Sequence, residues 1–145
     1  MRSSSSPFRT LLSLLVTLAL ISWASDLSAQ CRPADPQTTN MLRYMRSLAT
    51  ATVPADSESV GLRTTYKIPA VAATQVSLVT TARTCQSALA AFKTAVPQLA
   101  PTPTTVYVVA VGSVYVVWAS SDPSSEWTQH IVFNSKFQIL SEFAG

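Results

Sequence analysis

His130 is the only histidine in the sequence, and Asp122 and Glu126 lie a few residues before it. An imidazole titrates near neutral pH, and neighbouring carboxylates could orient it, so these three residues could form the acid–base centre of a small hydrolase or lyase. The simpler reading makes His130 a partly exposed sheet residue, as a lone histidine on a strand commonly is. No nucleophile pattern supports catalysis, since neither G-x-S-x-G nor S-x-x-K occurs. The three glycines, Gly61, Gly112 and Gly145, are too dispersed to make a phosphate-binding loop. The expectation is a protein that is not an enzyme, with His130, Asp122 and Glu126 as the residues to watch.

The two cysteines, Cys31 and Cys85, are the next residues with chemistry. Two are too few for a four-ligand zinc site, and they lack the C-x-x-C spacing of a redox pair. No metal or other cofactor is expected. Their meaning depends on the compartment, which the N-terminus addresses. Arg2 and Arg9 precede an apolar run from Leu11 to Ile21, and small residues follow at Ser28-Ala29. This is the pattern of a cleavable secretory signal peptide spanning residues 1–29, and the run is shorter than the roughly 20 residues a membrane span requires.

Cleavage after Ala29 fits best, with Ala24 as the other option. Gln30 intervenes before Cys31, which puts the segment out of register for lipid attachment at that cysteine. The protein is thus expected to be exported, to the periplasm or outside the cell, with no membrane span once the signal is removed. There a Cys31–Cys85 disulfide is the economical expectation. It would tie the N-terminus to the body of the fold, worth about 4 kcal/mol on chain-entropy grounds.

A third set is aromatic: Tyr107, Tyr115, Trp118 and Trp127. Such side chains on a sheet can form a stacking platform for sugars, peptides or a partner protein. They can equally be ordinary cross-strand packing.

The elements that must position these residues follow from patterning. The chain is 48% hydrophobic and 12% charged, which excludes disorder. Its ten Lys and Arg are scattered and the net charge is +3, which gives no footprint for nucleic acid. Residues 30–145 are long enough for one domain. Asp35-Pro36 starts a helix over 36–50, with Met41, Leu42, Met45, Leu48 and Ala49 at helical spacing and Asn40, Arg43, Arg46 and Ser47 opposite. A loop over 50–59 follows. Residues 60–68 fit either a short helix or a strand, with a slight lean to helix.

Gln75–Thr80 reads as a strand. Thr81 or Thr84 can cap a helix running through Thr94, with Cys85, Ala88, Leu89, Ala91, Phe92 and Val96 on its apolar side. Pro97, Pro101 and Pro103 make 97–104 a stiff, extended internal connector.

Val106–Val111 and Val114–Ala119 flank Gly112-Ser113, a two-residue hairpin signal. That turn sets Val111 opposite Val114, Val109 opposite Val116 and Tyr107 opposite Trp118. Both faces of this hairpin are apolar, so something must cover each of them. After a polar loop, Trp127–Phe133 and Phe137–Ser141 form a last hairpin about Asn134-Ser135-Lys136. If Phe133 opposes Phe137, Ile131, Phe133, Phe137 and Ile139 share one face, and His130, Val132, Gln138 and Leu140 the other.

The expected fold is α+β, with one or two helices packed on a four- to five-stranded antiparallel meander and stapled by one disulfide. In the helix Thr84–Val96, the hairpin Tyr107–Trp118 and the segment Val132–Leu140, the chain resembles small exported α+β modules of the PepSY-like and cystatin-like kinds. The resemblance covers about half of the expected mature chain and lies in topology alone. No diagnostic cystatin motif is present, so inhibition of cysteine proteases is not implied. The expected function is an exported interaction or inhibitor-like module, with the aromatic sheet as its contact surface. A protein or peptide partner, or a second copy, would dock on a sheet face or edge. A structural accessory of the cell envelope is the remaining alternative.

Overall fold

The computed structural model describes residues 36–99, 105–120 and 129–144. The segment expected to be a signal peptide, together with Cys31, Asp122, Glu126 and Trp127, lies outside the described residues. Within them the chain forms three α-helices and one five-stranded antiparallel sheet: α1 (Pro36–Thr50), α2 (Ser57–Thr65), β1 (Val76–Leu78), α3 (Ala82–Ala95), β2 (Thr105–Val111), β3 (Val114–Ser120), β4 (Gln129–Phe133) and β5 (Ile139–Ala144). The order across the sheet is β1-β2-β3-β4-β5, the order along the chain.

The central hairpin has the expected register, with Val111 opposite Val114, Val109 opposite Val116 and Tyr107 opposite Trp118. Gly112 takes a positive φ of 56° while Ser113 does not, which is the glycine-first turn that suits two twisted strands. A Cβ on Gly112 would stand 2.9 Å from Val71 Cγ1, so the turn also needs a residue without one.

Each apolar face of the hairpin has its own helix. On one face Met45, Leu48 and Ala49 of α1 pack with Val109, Val111, Val116 and Trp118. On the other, Cys85, Ala88, Leu89 and Phe92 of α3 pack with Val106, Val108, Val117 and Ile131. The sheet is the middle layer of three. Heptad-like spacing explains both helices, since the buried residues of α3 recur at three and four positions and bring one stripe to the sheet. Arg43, Arg46 and Ser47 of α1 are exposed, as their spacing requires.

The ambiguous segment over 60–68 is mostly helical. It begins earlier than expected, because Asp56 caps α2 by accepting a hydrogen bond from the Ser59 amide at 3.0 Å. Arg63 on α2 then turns back to α1. Its Nη1 donates to the carbonyls of Leu48, Ala49 and Ala51 at 3.0, 3.2 and 2.8 Å, closing the C-terminal end of α1. Pro97–Leu99 makes one 3-10 turn after α3 and is not extended, because it continues the helical path; residues 100–104 lie outside the described set.

The last hairpin departs from expectation. Phe133 faces Ile139 and Val132 faces Ser141, so Leu140 is the extra residue of a β-bulge. Asn134 is the cause. Its side-chain oxygen accepts from the amides of Lys136 and Gln138 at 2.9 and 3.0 Å, and its own amide donates to the Gln138 carbonyl at 3.0 Å. The turn therefore closes on Asn134 and Gln138, with Phe137 at a positive φ of 57°. Phe137 is not the strand partner of Phe133, and the inserted Leu140 breaks the alternation that would have set it on the His130 face.

Candidate functional site

The corrected register places four aromatic side chains in one row across the sheet. Tyr107 stands opposite Trp118, Trp118 opposite His130, and His130 opposite Phe143. Directly opposed residues of antiparallel strands project from the same face, so the four rings are neighbours by construction. Tyr107 stacks on Trp118 with centroids 5.2 Å apart, Trp118 meets His130 at 5.6 Å, and His130 stacks on Phe143 at 4.8 Å. Tyr66, just past α2, completes the row by stacking on Phe143 at 4.1 Å. The Ser141 hydroxyl donates to the Tyr66 carbonyl and holds β5 against that end of the helix pair.

This row is mostly interior. Tyr107 is 6% exposed, Trp118 3% and His130 2%. The His130 ring is a buried member of the α1-side face, flanked by Trp118 and Phe143, and not the partly exposed sheet residue that its position suggested. Asp122 and Glu126, its proposed companions, fall outside the described residues. Among the described residues no group of three or more His, Cys, Asp or Glu could hold a metal ion. No described helix is long and apolar enough to cross a membrane.

The expected aromatic platform is divided between two faces. Tyr107 and Trp118 are neighbours under α1, whereas Tyr115 projects to the α3 side and stacks on Phe137 at 5.1 Å. Trp127 lies outside the described residues. The two ring contacts that sequence reasoning missed, Phe143 and Tyr66, depended on the register of the bulged hairpin. The Asn134 turn was the signal that could have supplied it. Near the outer end of the row Tyr44 is 39% exposed. Burial first, then nearby Tyr66 and Glu58, raise its phenol pKa above the ordinary tyrosine value.

The two sheet edges differ. The outer strand β1 is three residues long, and the carbonyl of Val76 is met by Arg46 Nη2 at 3.4 Å. The opposite edge, β5, is six residues long, contains no proline, and has β4 as its one neighbour among the described residues. Its bulge pair is its most apolar exposed part: Ile139 is 49% and Leu140 41% exposed. Glu142 is the one charged residue in the strand, and its carboxylate accepts a hydrogen bond from Gln129 Nε2 at 3.2 Å. Such an edge offers a row of backbone donors and acceptors beside two apolar side chains. It has the form of an edge that can add an extended strand.

No protein-family model matches this sequence, and no curated protein or solved structure matches it.

Proposed function

We propose that the protein is an exported, non-catalytic interaction module that docks its partner on the β5 edge of the sheet. One observation carries this reading. Helices cover both apolar faces of the central hairpin, while β5 keeps a long edge with Ile139 and Leu140 exposed. The contact surface therefore moves from the aromatic set expected at Tyr107, Tyr115, Trp118 and Trp127 to the strand edge. The hydrolase alternative needs His130 within reach of a substrate, and burial at 2% exposure argues against that role.

Export rests on the basic, apolar and small-residue pattern of residues 1–29. A Cys31–Cys85 bridge is part of the same reading. It is supported by the finding that no described cysteine is free. Thiol titration of the denatured, unreduced protein should find no free thiol, and two would remove the bridge.

The interaction reading is tested by photocrosslinking in the producing cell. A photoreactive residue replacing Leu140 should give a discrete adduct, while one replacing Ser47 on the exposed side of α1 should give none. Equal yields at the two positions, or no adduct from position 140, would overturn it.

A further inference from the structure

We propose that β5 is a hinged latch: it detaches from β4 as a unit, swinging about the Asn134–Gln138 turn, while the other four strands and the three helices stay folded. Opening uncovers the backbone margin of β4 and the ring of His130. The device goes beyond the docking reading of the β5 edge and does not depend on it.

The two strands differ in burial. Four of the five residues of β4, His130 to Phe133, are buried, whereas no residue of β5 is. The two covering helices are not built on β5 either: α1 lies chiefly over β1 and β2, and α3 over β2 and β3. A strand that buries little apolar surface adds little to the core, so its separation costs far less than unfolding the whole molecule. The inserted Leu140 loosens the strand further by breaking the β4–β5 ladder between Ile139 and Ser141.

Beside the ladder, a small set of side-chain contacts holds β5 shut. Phe143 is stacked between Tyr66 and His130 at 4.1 and 4.8 Å, and the Ser141 hydroxyl donates to the Tyr66 carbonyl. Gln129 Nε2 donates to the Glu142 carboxylate at the surface. The turn is anchored independently of these contacts. Asn134 accepts from the Lys136 and Gln138 amides, and the Phe137 ring stacks on Tyr115 on the α3 side of the sheet. The turn therefore stays with the sheet when Ile139–Ala144 leaves, which makes it the hinge. Because the buried His130 ring lies against Phe143, that departure opens it to solvent.

The test is native-state hydrogen exchange of the intact protein, together with carbethoxylation of His130, its one histidine, by diethyl pyrocarbonate. The amides that join β4 to β5 should exchange about a hundredfold faster than those joining β2 to β3, with little dependence on low urea, as local opening requires. Ser141→Ala should speed both that exchange and His130 modification about fivefold. Phe92→Ala, in the α3 cluster away from β5, should speed only the β2–β3 amides, because the contacts of Phe92 persist in the open form. Exchange of the β4–β5 amides at the β2–β3 rate, or an equal response of both sets to Phe92→Ala, would overturn the latch. So would His130 modification that follows the β2–β3 amides. Photocrosslinking from position 140 is a separate result: a missing adduct removes the docking reading and leaves the latch standing, while a β5 that never opens alone removes the latch and leaves docking standing.

Discussion

Phe137 is one of two described non-glycine residues at positive φ, the other being Lys67. Phe137 holds a φ of 57°, a region that a bulky L-residue occupies at a cost of about 1–2 kcal/mol. Its ring offsets that cost by stacking on Tyr115 at 5.1 Å and meeting Phe133 at 6.0 Å. Replacement by alanine would remove the stacking and keep the strained backbone, whereas glycine would remove both. Phe137→Gly should therefore be less destabilising than Phe137→Ala, reversing the usual order, by about 1 kcal/mol in urea denaturation. Equal losses would mean that the backbone conformation carries no penalty. His130 shows the complementary case, in which an ionisable side chain serves as a ring: its place between Trp118 and Phe143 comes from strand register.

At the scale of elements, the joints between α1 and α2 are open to measurement. Arg63 supplies the donor for three carbonyls at the end of α1. Arg63→Ala should cost about 1–3 kcal/mol and speed amide exchange in the last turn of α1; Arg63→Lys should recover only part, since an ammonium cannot spread its donors as a guanidinium does. Asp56 at the start of α2 has a pKa below the ordinary carboxylate value, chiefly because of hydrogen bonding to Ser59. A carboxyl lowered by folding stabilises the fold above its unfolded pKa and loses that contribution as pH falls through the folded one. Acid titration of stability should therefore be steeper for the native protein than for Asp56→Asn, which keeps an acceptor but does not titrate.

Elements also show where the sequence was readable. The register of β2 with β3 was legible because a glycine-first pair separates two β-branched runs, and α1 and α3 were legible from apolar spacing. The β4–β5 register was not, because side-chain hydrogen bonds from Asn134 lengthen the turn and a phenylalanine takes a conformation normally left to glycine. That slip hid the row through His130 to Phe143 and the exposure of Ile139 and Leu140. Which helix covers which face was also hidden, since periodicity shows that a stripe is buried without showing against what.

In the whole molecule the sheet is shared by two hydrophobic clusters, one under α1 and one under α3. Val116 and Val117 are adjacent in β3 and belong to opposite clusters, so neither cluster can loosen without disturbing the strand that both use. Met45→Ala and Phe92→Ala, each at a fully buried position, should lower stability by about 2–5 kcal/mol. Both should do so within one unfolding transition, followed by tryptophan fluorescence and far-ultraviolet circular dichroism together. Two separated transitions in either variant would show that the layers unfold independently.

Strand order that repeats chain order has a kinetic consequence. Most pairings join neighbours in sequence, so the sheet can grow by adding one strand at a time to a margin already built, without waiting for distant segments to meet. Only the β1–β2 step must span a helix. If growth follows the chain, β5 is the last of these strands to be added, and its outer margin is complete only once the four strands before it are in place. A chain halted short of that point has no finished β5 to present, so the recognition proposed for this margin would be confined to molecules that have completed their sheet.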